Sequence, residues 1–440
     1  MTAGSLIFLH LSDIHFHRRS GKAGDLDDDL RRQLENDAVA VRRGLPGFTG
    51  ILVSGDVAFS GQPQEYDFAK GWLTGLCDKL GCPPEDIWTV PGNHDVDRGV
   101  VNKSWLVRQL HVGLRPTKPA DVDHAMSQLF ADPKAFEAVH EPLAAYNRFA
   151  QSYDCEAGGN GQLHWESDLP LNDGSVLRLR GANSALISTS ADDDEANRLV
   201  VGSLQSLPPV LPGVTHLLLC HHPPDWVWER DQFEDNLRSR VPLALFGHKH
   251  VQRVVRVDNS LRVFAGAVQP SRGETGWLPR YNFLALSVDG TGGGRSLRVV
   301  ILPRLWHDPD KEFRAERDRD GRDTITHSIP LPAWTAPAKP PAAKPAGLVP
   351  TTAVTAEGRV MNPERRLTFR FFDLPYSRRM EVVQKLGLIA DEDEGVREDD
   401  RYKRYFERAR SRNLLGELWQ EVEGRHADGR PGENPFAQPK

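Results

Sequence analysis

The sequence predicts an α/β protein in which short buried strands alternate with amphipathic helices. Runs such as 6–11 (Leu-Ile-Phe-Leu-His-Leu) are nearly all apolar and of strand length, which is typical of strands covered on both faces. The segments 27–43 and 66–80 carry apolar residues at helical spacing. Several predicted strands also end in Asp, Asn or His, and in open α/β sheets the carboxyl edge is where sites are built.

The first predicted strand, 6–11, is followed by Ser-Asp-Ile-His. Because alternate residues of an extended chain point the same way, Asp13 and His15 can face one point. An aspartate that caps a polar loop is the plain alternative for this segment taken alone.

The next two predicted strands, 50–54 and 87–90, end in the same manner. A Gly-Asp pair ends the first, and the glycine lets the backbone come close to whatever the acid binds. The second runs into a sharp Pro-Gly turn that presents an amide, an imidazole and a carboxylate in succession. The polar residues at these two ends are Asp56, Asn93, His94 and Asp95.

Residues 96–161 interrupt the alternation with helical patches and polar loops. Because this insertion lies between two strands with polar ends, we expect it to form a helical cap over the site. Its aromatic and cationic side chains either contact substrate or simply hold the cap together. They include Trp105, Arg108, Arg115, Tyr146 and Arg148.

The second half of the α/β region contains more strand-like runs. Residues 176–187 are interpreted as two strands that turn at 181–183. The buried runs 216–220 and 243–246 end in His-His-Pro-Pro and Gly-His-Lys-His, which contribute His221, His222, His248 and His250. Four later runs, separated by turn residues, predict antiparallel hairpins that form a second sheet. They are 251–257, 261–265, 281–288 and 297–302.

Changes in composition divide the chain. Residues 1–328 are predicted to form the α/β domain. Residues 329–358 are rich in Pro, Ala, Lys and Thr, which cannot bury a core and predict a semi-rigid extended linker. Residues 359–425 carry apolar stripes at helical spacing and predict a small all-α domain, and 426–440 predict a flexible polar tail.

The bulk composition excludes several classes of protein. The 440 residues carry a net charge of -6, so the molecule as a whole is not a basic nucleic-acid binder. Four cysteines without paired spacing favour a reducing compartment. No apolar stretch approaches ~18 residues, so we expect a cytoplasmic protein without a membrane span.

The polar strand ends together offer carboxylates, imidazoles and an amide oxygen, but no thiolate. This set suits divalent ions such as Mn, Fe, Zn or Ni. There are too many ligands for one tetrahedral ion and about the right number for two. Paired ions clamp the attacking and leaving oxygens of a phosphoryl displacement and make hydroxide available from a bridging water. The residues are Asp13, His15, Asp56, Asn93, His94, His221, His248 and His250.

These stretches, at 9–15, 54–56, 92–95, 221–224 and 247–250, resemble the motifs of calcineurin-like metallophosphoesterases and occur in the family's order. The resemblance covers roughly residues 5–305. It implies a four-layer αββα sandwich, two face-to-face sheets with helices outside, and a dinuclear site at one edge.

The resemblance also implies a role for each residue. One ion is held by Asp13, His15, Asp56 and His250. The other is held by Asp56, Asn93, His221 and His248, so that Asp56 bridges the pair.

Two further implied roles concern the residues after Asn93. His94 is not a ligand, but stabilises the transition state and can protonate the leaving oxygen, while Asp95 orients His94.

Of the two adjacent histidines at 221 and 222, His221 is chosen as the ligand, and His222 then faces the substrate or supports the ligands from outside. One departure from the family is that Asp56 is followed by Val-Ala-Phe-Ser-Gly, without the second acid that many members carry.

The C-terminal helical region resembles, more loosely, the effector-associated, death-like adaptor domains of bacterial conflict systems. The similar stretches are 372–376, 385–388 and 413–419. The resemblance implies a protein partner that docks through residues 359–425. The alternative is a helical appendage that packs on the catalytic domain.

The sequence as a whole therefore predicts a metal-dependent phosphoesterase that acts on phosphodiesters of nucleotides or single-stranded nucleic acid. The site type handles monoesters as well as diesters. A recruited effector of a signalling or defence system, defined by its C-terminal partner, is the rival hypothesis. A metal-binding protein without turnover is a third.

Overall fold

The computed structural model describes residues 4–158, 162–193, 195–270, 278–336, 353–354, 360–426 and 434–436. Its strands are β1 Leu6–Leu11, β2 Gly50–Val53, β3 Ile87–Thr89, β4 His164–Pro170, β5 Val176–Ala182, β6 Val214–Cys220, β7 Leu243–Phe246, β8 Arg253–Val257, β9 Ser260–Phe264, β10 Arg280–Asp289, β11 Ser296–His307, β12 Glu312–Ala315, β13 Ile325–Pro330, β14 Ala353–Val354 and β15 Val360–Met361.

The α-helices, in chain order, are α1 Asp28–Arg43, α2 Pro63–Leu80, α3 Arg98–Lys103, α4 Trp105–Leu114, α5 Val122–Ala131, α6 Pro133–His140, α7 Ala144–Ala150, α8 Ser203–Ser206, α9 Arg230–Arg240, α10 Pro363–Asp373, α11 Tyr376–Lys385, α12 Glu398–Ser411 and α13 Leu415–Glu423. Short 3₁₀ turns connect several of them. Among the described residues, no helix combines the length and apolar character needed to cross a bilayer.

Two sheets pack face to face with helices on their outer sides. The main core joins apolar residues of both sheets to those of α1 and α2. A second core lies on the opposite face of the second sheet, where Phe233 and Leu237 of α9 pack against Leu218 and Phe246. The order is therefore helices, sheet, sheet, helix, which confirms the expected four-layer fold.

The first sheet has the order β12-β11-β10-β1-β2-β3, with β13 also paired to β11. Strands β1, β2 and β3 are parallel, with Leu9, Ile51 and Ile87 side by side. The second sheet has the order β4-β5-β6-β7-β9-β8, and its central strands β5, β6, β7 and β9 are parallel. Parallel neighbours bring the carboxyl ends of successive strands to one edge of each sheet.

The interpretation of 176–187 as two strands is wrong. Residues up to Ala182 form the single strand β5, and its antiparallel partner is β4. Gly181 lies within β5, opposite Trp165 of β4. The residue is a glycine because a Cβ at this position would overlap the indole of Trp165. Glycine here makes room for a large neighbour and does not mark a turn.

The four later strands also do not form one separate sheet. The hairpin of β8 and β9 joins the second sheet through β7, whereas β10 and β11 extend the first sheet through β1. The turn residues of a sequence predict that two neighbouring strands form a hairpin, but they do not predict which sheet the hairpin joins.

The insertion after β3 is helical, as expected, and comprises α3 to α7. Helix α7 packs on α2, and the following 3₁₀ turn, Gln151–Tyr153, packs on β3. Tyr146 is fully buried beside Tyr66 of α2, so it supports the fold and does not face solvent. Trp105 of the same insertion is exposed.

The end of the α/β domain lies slightly beyond the expected position. Strand β13 runs through residue 328 to Pro330, and Ile329 and Leu331 are buried in the main core. Most of the expected linker, 337–352 and 355–358, lies outside the described residues, and β14 within it pairs with β15, which follows it. Of the expected flexible tail, Phe436 packs against the C-terminal core, while 427–433 and 437–440 lie outside the described residues.

Helices α10 to α13 form a compact unit with its own core, which includes Leu367, Phe371 and Trp419. The unit is also joined to the α/β domain. Phe369 of α10 belongs to the main core and lies 6.0 Å, between ring centroids, from Tyr153. The buried guanidinium of Arg365 donates to the carbonyl oxygens of Glu85 and Ile87, each at 2.8 Å.

Ion pairs surround this apolar contact. Lys403 lies 3.1 Å from Glu156, and Lys70 lies 3.7 Å from Asp373. The unit is therefore positioned as a helical appendage packed on the α/β domain, which is one of the two alternatives from the sequence.

Replacing Phe369 by alanine tests whether the helical unit shares a core with the α/β domain. We expect Phe369→Ala to lower the free energy of unfolding by about 3–5 kcal/mol, because it removes a buried ring between the two units. Urea unfolding followed by intrinsic fluorescence measures the loss. Gln384→Ala, on the exposed face of α11, is the control and should change stability by less than about 0.5 kcal/mol. A similarly small change for Phe369→Ala would contradict a shared core.

Candidate metal centre

The polar residues at the strand ends converge where the carboxyl edges of the two sheets meet. The loops after β1 and β2 are joined by backbone hydrogen bonds, from Asp13 N to Gly55 O (3.1 Å) and from His15 N to Asp56 O (3.0 Å). The loops after β6 and β7 are joined in the same way, because Gly247 N donates to His221 O at 2.9 Å. Main-chain pairing therefore continues past the strands and fixes the loops that carry the site.

Five of these residues have a left-handed backbone. Only ten non-glycine residues in the described part of the chain have positive φ, and half of them lie here. They are Asp13 (53°), His15 (52°), Asp56 (51°), His248 (69°) and His250 (54°). This conformation costs of order 1–3 kcal/mol per residue and clusters at functional sites. The expectation from strand alternation is therefore corrected. Asp13 and His15 lie beyond the end of β1, and their side chains converge because both residues adopt the left-handed conformation and not the extended one.

Two glycines let the loops approach each other. Gly55 has φ of 94°, and a Cβ there would overlap the imidazole of His221. A Cβ on Gly92 would overlap the carboxylate of Asp56. The Gly-Asp and Gly-Asn pairs of the sequence are therefore needed for close contact between side chains of the site and neighbouring backbone.

The first group of donor atoms surrounds Asp13 and Asp56, both fully buried. Nε2 of His250 lies 3.3 Å from Oδ1 of Asp13, and Nε2 of His15 lies 4.0 Å from Oδ2 of Asp56. Nε2 of His221 is 3.2 Å from the same Asp56 oxygen and 3.9 Å from Asp13 Oδ1. Oδ2 of Asp56 thus lies near imidazole nitrogens of both His15 and His221.

The second group surrounds the amide oxygen of Asn93. Three imidazole nitrogens lie 3.1 Å from Oδ1 of Asn93, namely Nε2 of His221, Nε2 of His222 and Nδ1 of His248. The other nitrogen of His221, Nδ1, carries a proton, because the Ser54 carbonyl oxygen that it contacts at 2.7 Å can only accept. Nε2 is therefore the nitrogen of His221 that faces the donor atoms of Asn93 and Asp56. Nδ1 of His222 is bonded to Ser184 Oγ at 2.8 Å.

These residues fit a divalent cation. Oδ1 of Asp13 and Nδ1 of His15 are buried, and neither forms a hydrogen bond of good geometry with any described residue. Buried polar atoms are normally satisfied, so unsatisfied ones in a carboxylate and imidazole cluster indicate a missing positive charge. The groups Asp13–His15–His250, Asp13–Asp56–His221 and His221–His222–His248 each place donor atoms within 4.8 Å of one another. Oxygen and nitrogen donors without sulfur suit Mn, Fe, Zn or Ni.

The surroundings of the site also set the protonation states of the candidate ligands. Burial lowers the pKa of His15 to about 4 and that of His248 to about 3, so both are neutral at pH 7 and able to bind a metal. Burial opposes protonation of His221 too, but the carboxylates of Asp56 and Asp13 outweigh it and raise its pKa to about 9. The same pairing lowers the pKa of Asp56 despite burial.

His94 lies at the edge of the first group and is partly exposed. Its ring centroid is 4.6 Å from that of His15, and its backbone N donates to Oδ1 of Asp56 at 2.8 Å. Nδ1 of His94 contacts the carbonyl oxygen of Phe59 at 2.9 Å. Because a carbonyl only accepts, Nδ1 carries the proton and Nε2 remains available.

The expectation that Asp95 orients His94 is corrected. The buried carboxylate of Asp95 accepts from the backbone of Gly92 (2.9 Å), Val57 (3.2 Å) and Ala58 (2.9 Å) and from Tyr66 OH (2.8 Å). Burial, with the nearby Asp56 carboxylate, raises its pKa to about 6. Asp95 therefore holds together the loops after β2 and β3, and the main chain of Phe59 holds His94.

Sequence reasoning missed three supporting groups. They are the carbonyl of Ser54, the hydroxyl of Ser184 and the phenol of Tyr66. Ser54 precedes the Gly-Asp pair at a strand end, which is a signal that could have been used. Ser184 and Tyr66 lie far along the chain from the groups they contact, and the sequence holds no local sign of those contacts.

Two family models match this chain. Calcineurin-like phosphoesterase matches residues 6–252, and the GTPase-associated adaptor domain matches residues 363–424. The uncharacterized metallophosphoesterase-like protein YydB of Bacillus subtilis (strain 168) is 28% identical over 114 residues, 26% of this chain and 22% of YydB. The matched part of the chain thus spans about a fifth of the length of that relative.

Solved structures with similar folds include Vacuolar Protein Sorting 29 from Cryptosporidium parvum, with 12% identity and a TM-score of 0.30 over 74% of this chain and 99% of that one. GAP50 of Plasmodium has 11% identity and a TM-score of 0.35 over 75% and 90%. A putative 5'-nucleotidase from Staphylococcus aureus has 12% identity and a TM-score of 0.31 over 77% and 56%. Similarities at this level say nothing about the activity of this chain.

The first of the two family matches covers more than half of the 440 residues and ends with the Gly-His-Lys-His segment of the site. The described structure has the four-layer fold, and its strand-end loops bring carboxylate, amide and imidazole donors to one point. The chain belongs to the calcineurin-like phosphoesterase family.

Proposed function

We propose that the chain is a dinuclear metal-dependent phosphoesterase that hydrolyses phosphodiester bonds of nucleotides or single-stranded nucleic acid. The observation that carries this proposal is the position of Asp56. Oδ2 of Asp56 lies 4.0 Å from Nε2 of His15 in the first group of donor atoms and 3.2 Å from Nε2 of His221, which also contacts Asn93 in the second group. A carboxylate so placed suits a bridge between two ions.

Each ion would then have four protein ligands. Asp13, His15, Asp56 and His250 would hold the first, and Asp56, Asn93, His221 and His248 would hold the second. His221 is preferred to His222 because its Nε2 faces both Asn93 and Asp56, whereas the described contacts of His222 Nε2 reach Asn93 alone. We assign His222, held by Ser184, to supporting Asn93 and His248.

The residues of the chain divide the chemistry between them. Two bound divalent ions would supply a water of lowered pKa and positive charge opposite the phosphoryl oxygens. His94, with its proton fixed on Nδ1 by the Phe59 carbonyl, presents Nε2 towards the cleft beside the ligands. When protonated, this nitrogen can donate to the leaving oxygen, which is general-acid catalysis.

The charge of the molecule favours small or single-stranded substrates over duplex nucleic acid. Duplex binding is dominated by contacts of Lys and Arg with phosphates, and this chain has a net charge of -6. The four cysteines are all buried and unpaired, which is consistent with the cytoplasmic setting that we propose.

A second candidate function is recruitment through the C-terminal unit. It is favoured by the match of residues 363–424 to the GTPase-associated adaptor domain. Although α10 is occupied by the α/β domain, the unit keeps exposed apolar side chains elsewhere, Tyr376 on α11 and Ile389 after it. We propose that the exposed surface of the unit outside α10, which carries these two side chains, docks a protein partner while the unit stays attached to the catalytic domain.

His94→Ala tests the role of the imidazole. We expect turnover of a chromogenic diester with Mn²⁺ to fall by on the order of 10²–10⁴, with metal content near two ions per chain, because a general acid is lost and no ligand is removed. Turnover and elemental analysis of the same samples provide the two readouts. His307→Ala, on a half-exposed histidine of β11, is the control. Loss of an ion would make His94 a ligand.

Asp56→Asn tests the bridge. Because both ligand groups share this carboxylate, we expect both ions to be lost or weakened together, and turnover with them. Metal titration of the metal-free protein measures the two sites, and its unfolding midpoint checks that the fold survives. Asp310→Asn, on an exposed carboxylate, is the control. A variant that loses one ion and keeps the other at full affinity would rule out bridging.

The recruitment proposal is tested with the full chain. Tagged protein is captured from its own cells and compared with the Tyr376→Ala/Ile389→Ala double variant. We expect one protein to be enriched with the unaltered chain and at least tenfold less with the variant, while turnover stays unchanged. Val210→Ala, an equally exposed apolar side chain of the α/β domain, should retain the partner. Equal capture by all three chains would count against docking through this surface.

A further inference from the structure

An open cleft of about 370 Å³ begins at the candidate metal centre and extends away from it. His15, His94 and His250 line its inner end. The outer part is lined by residues of the loop after β1 and by Phe59, Gln269 and Pro270. A cleft of this size lies at the lower end of the range for small-molecule sites, so it suits one unit of an organic group next to a bound phosphate.

Phe59 is the feature of this cleft that the catalytic proposal does not use. Its side chain is 53% exposed and is absent from the apolar cores of the described residues. The ring centroid lies 5.5 Å from that of His94, with 36° between the ring planes, and 6.3 Å from that of His15. A large aromatic face is thus presented to solvent directly beside the group proposed to protonate the leaving oxygen.

The backbone of Phe59 is held firmly. Its N donates to the carbonyl oxygen of Phe16 at 2.9 Å, and its own carbonyl accepts from His94. The next residue, Ser60, is bonded through both N and Oγ to the carboxylate of Glu65, at 3.0 and 2.8 Å. The backbone that carries the Phe59 ring is therefore fixed, so the protein loses little conformational freedom when a ligand binds against the ring.

A second exposed apolar side chain lines the same cleft. Leu26 is 74% exposed, and Pro270 adds an apolar surface. Single exposed apolar residues need no explanation. Leu26 and Phe59, however, are two large apolar side chains at the outer end of a charged site, and Phe59 is an aromatic ring on a fixed backbone. Together they suit a ligand that is ionic at one end and planar and apolar at the other.

Three polar side chains that line the cleft, those of Gln269, Asp27 and His17, are already engaged within the protein. Nε2 of Gln269 donates to Oδ2 of Asp27 at 2.7 Å, and Oε1 of Gln269 accepts from Arg31 at 3.4 Å. His17 lies 3.7 Å from the same Asp27 oxygen. Apart from the exposed Arg19, the wall therefore offers a ring to stack on more readily than hydrogen-bonding groups to read the edge of a base.

We propose that Phe59 is the stacking surface for the base of a nucleotide whose phosphoester lies at the metal centre. The inference rests on the proposed function and names its substrate class as base-bearing phosphoesters, recognised with little preference among bases. Stacking on an aromatic side chain tolerates any base because every base has a π-face, and truncation of such a ring typically lowers affinity by about 5- to 150-fold.

The test compares two ligands that differ only in the base. Full-length, Mn²⁺-loaded protein is titrated by calorimetry with adenosine 5′-monophosphate and with ribose 5-phosphate, and the ligands are checked for hydrolysis afterwards. We expect the nucleotide to bind about 5- to 150-fold more tightly. Uridine 5′-monophosphate should bind within about tenfold of the adenosine nucleotide, since the ring is not expected to select between bases.

Variants at one position then separate stacking from apolar burial. Phe59→Ala and Phe59→Leu should each bring the ratio of the two affinities close to one, because leucine keeps apolar volume but has no aromatic face. Phe59→Trp should preserve the ratio. All three keep the main-chain carbonyl that binds His94. Leu204→Ala removes a comparably exposed apolar side chain, 60%, outside the cleft and should leave the ratio unchanged.

The outcomes separate this inference from the proposed function. Equal binding of the nucleotide and the sugar phosphate, or a ratio that Phe59→Ala leaves intact, overturns the stacking surface even if the enzyme hydrolyses chromogenic diesters. Full preference for the nucleotide without hydrolysis of any phosphoester overturns the proposed function alone. A ratio retained by Phe59→Leu would show that apolar burial, and not stacking, recognises the ligand. Failure of both ligands to bind overturns both.

Discussion

The site depends on a backbone conformation that most residues avoid. Asp13, His15, Asp56, His248 and His250 all turn through the left-handed region just past the ends of their strands. The cost is of order 1–3 kcal/mol each, and it is offset by hydrogen bonds that continue between the loops after the strands have ended. The parallel strands thus fix the positions of the loops, and the loops aim five side chains at one small volume.

The buried charges follow from this geometry. Burial opposes ionisation of Asp13 and Asp56, but the imidazoles beside them outweigh it and lower the pKa of both carboxyls. Burial keeps His15 and His248 neutral, whereas the carboxylates raise the pKa of His221, so that it holds a proton. The two buried carboxylates therefore attract positive charge to the site, and a divalent cation can supply that charge in place of the proton on His221.

Much of this organisation could be predicted from the sequence, because strand ends and their polar residues are local features. The α/β class, the polar strand ends and the helical C-terminal unit followed from spacing, whereas the four-layer arrangement and the convergence on a dinuclear site were implied by the family resemblance. Contacts between distant segments could not be predicted. Gly181 resembles a turn residue until Trp165 is placed opposite it, and Asp95 is next to His94 in sequence yet binds the loop of Val57 and Ala58. The spacing of residues in the sequence predicts which residues lie near one another, but it does not predict which groups a carboxylate such as that of Asp95 binds.

The position of Arg365 has a consequence for the outer margin of the first sheet. Among the strands of the described residues, β3 is last in its sheet, and none of them pairs with its outer side. The guanidinium of Arg365 covers the carbonyl oxygens of Glu85 and Ile87, and the indole of Trp165 covers that of Thr89 at 2.8 Å. Unpaired edges attract strands of other molecules and promote aggregation. The C-terminal helices therefore shield a surface through which copies of the protein would otherwise adhere to one another.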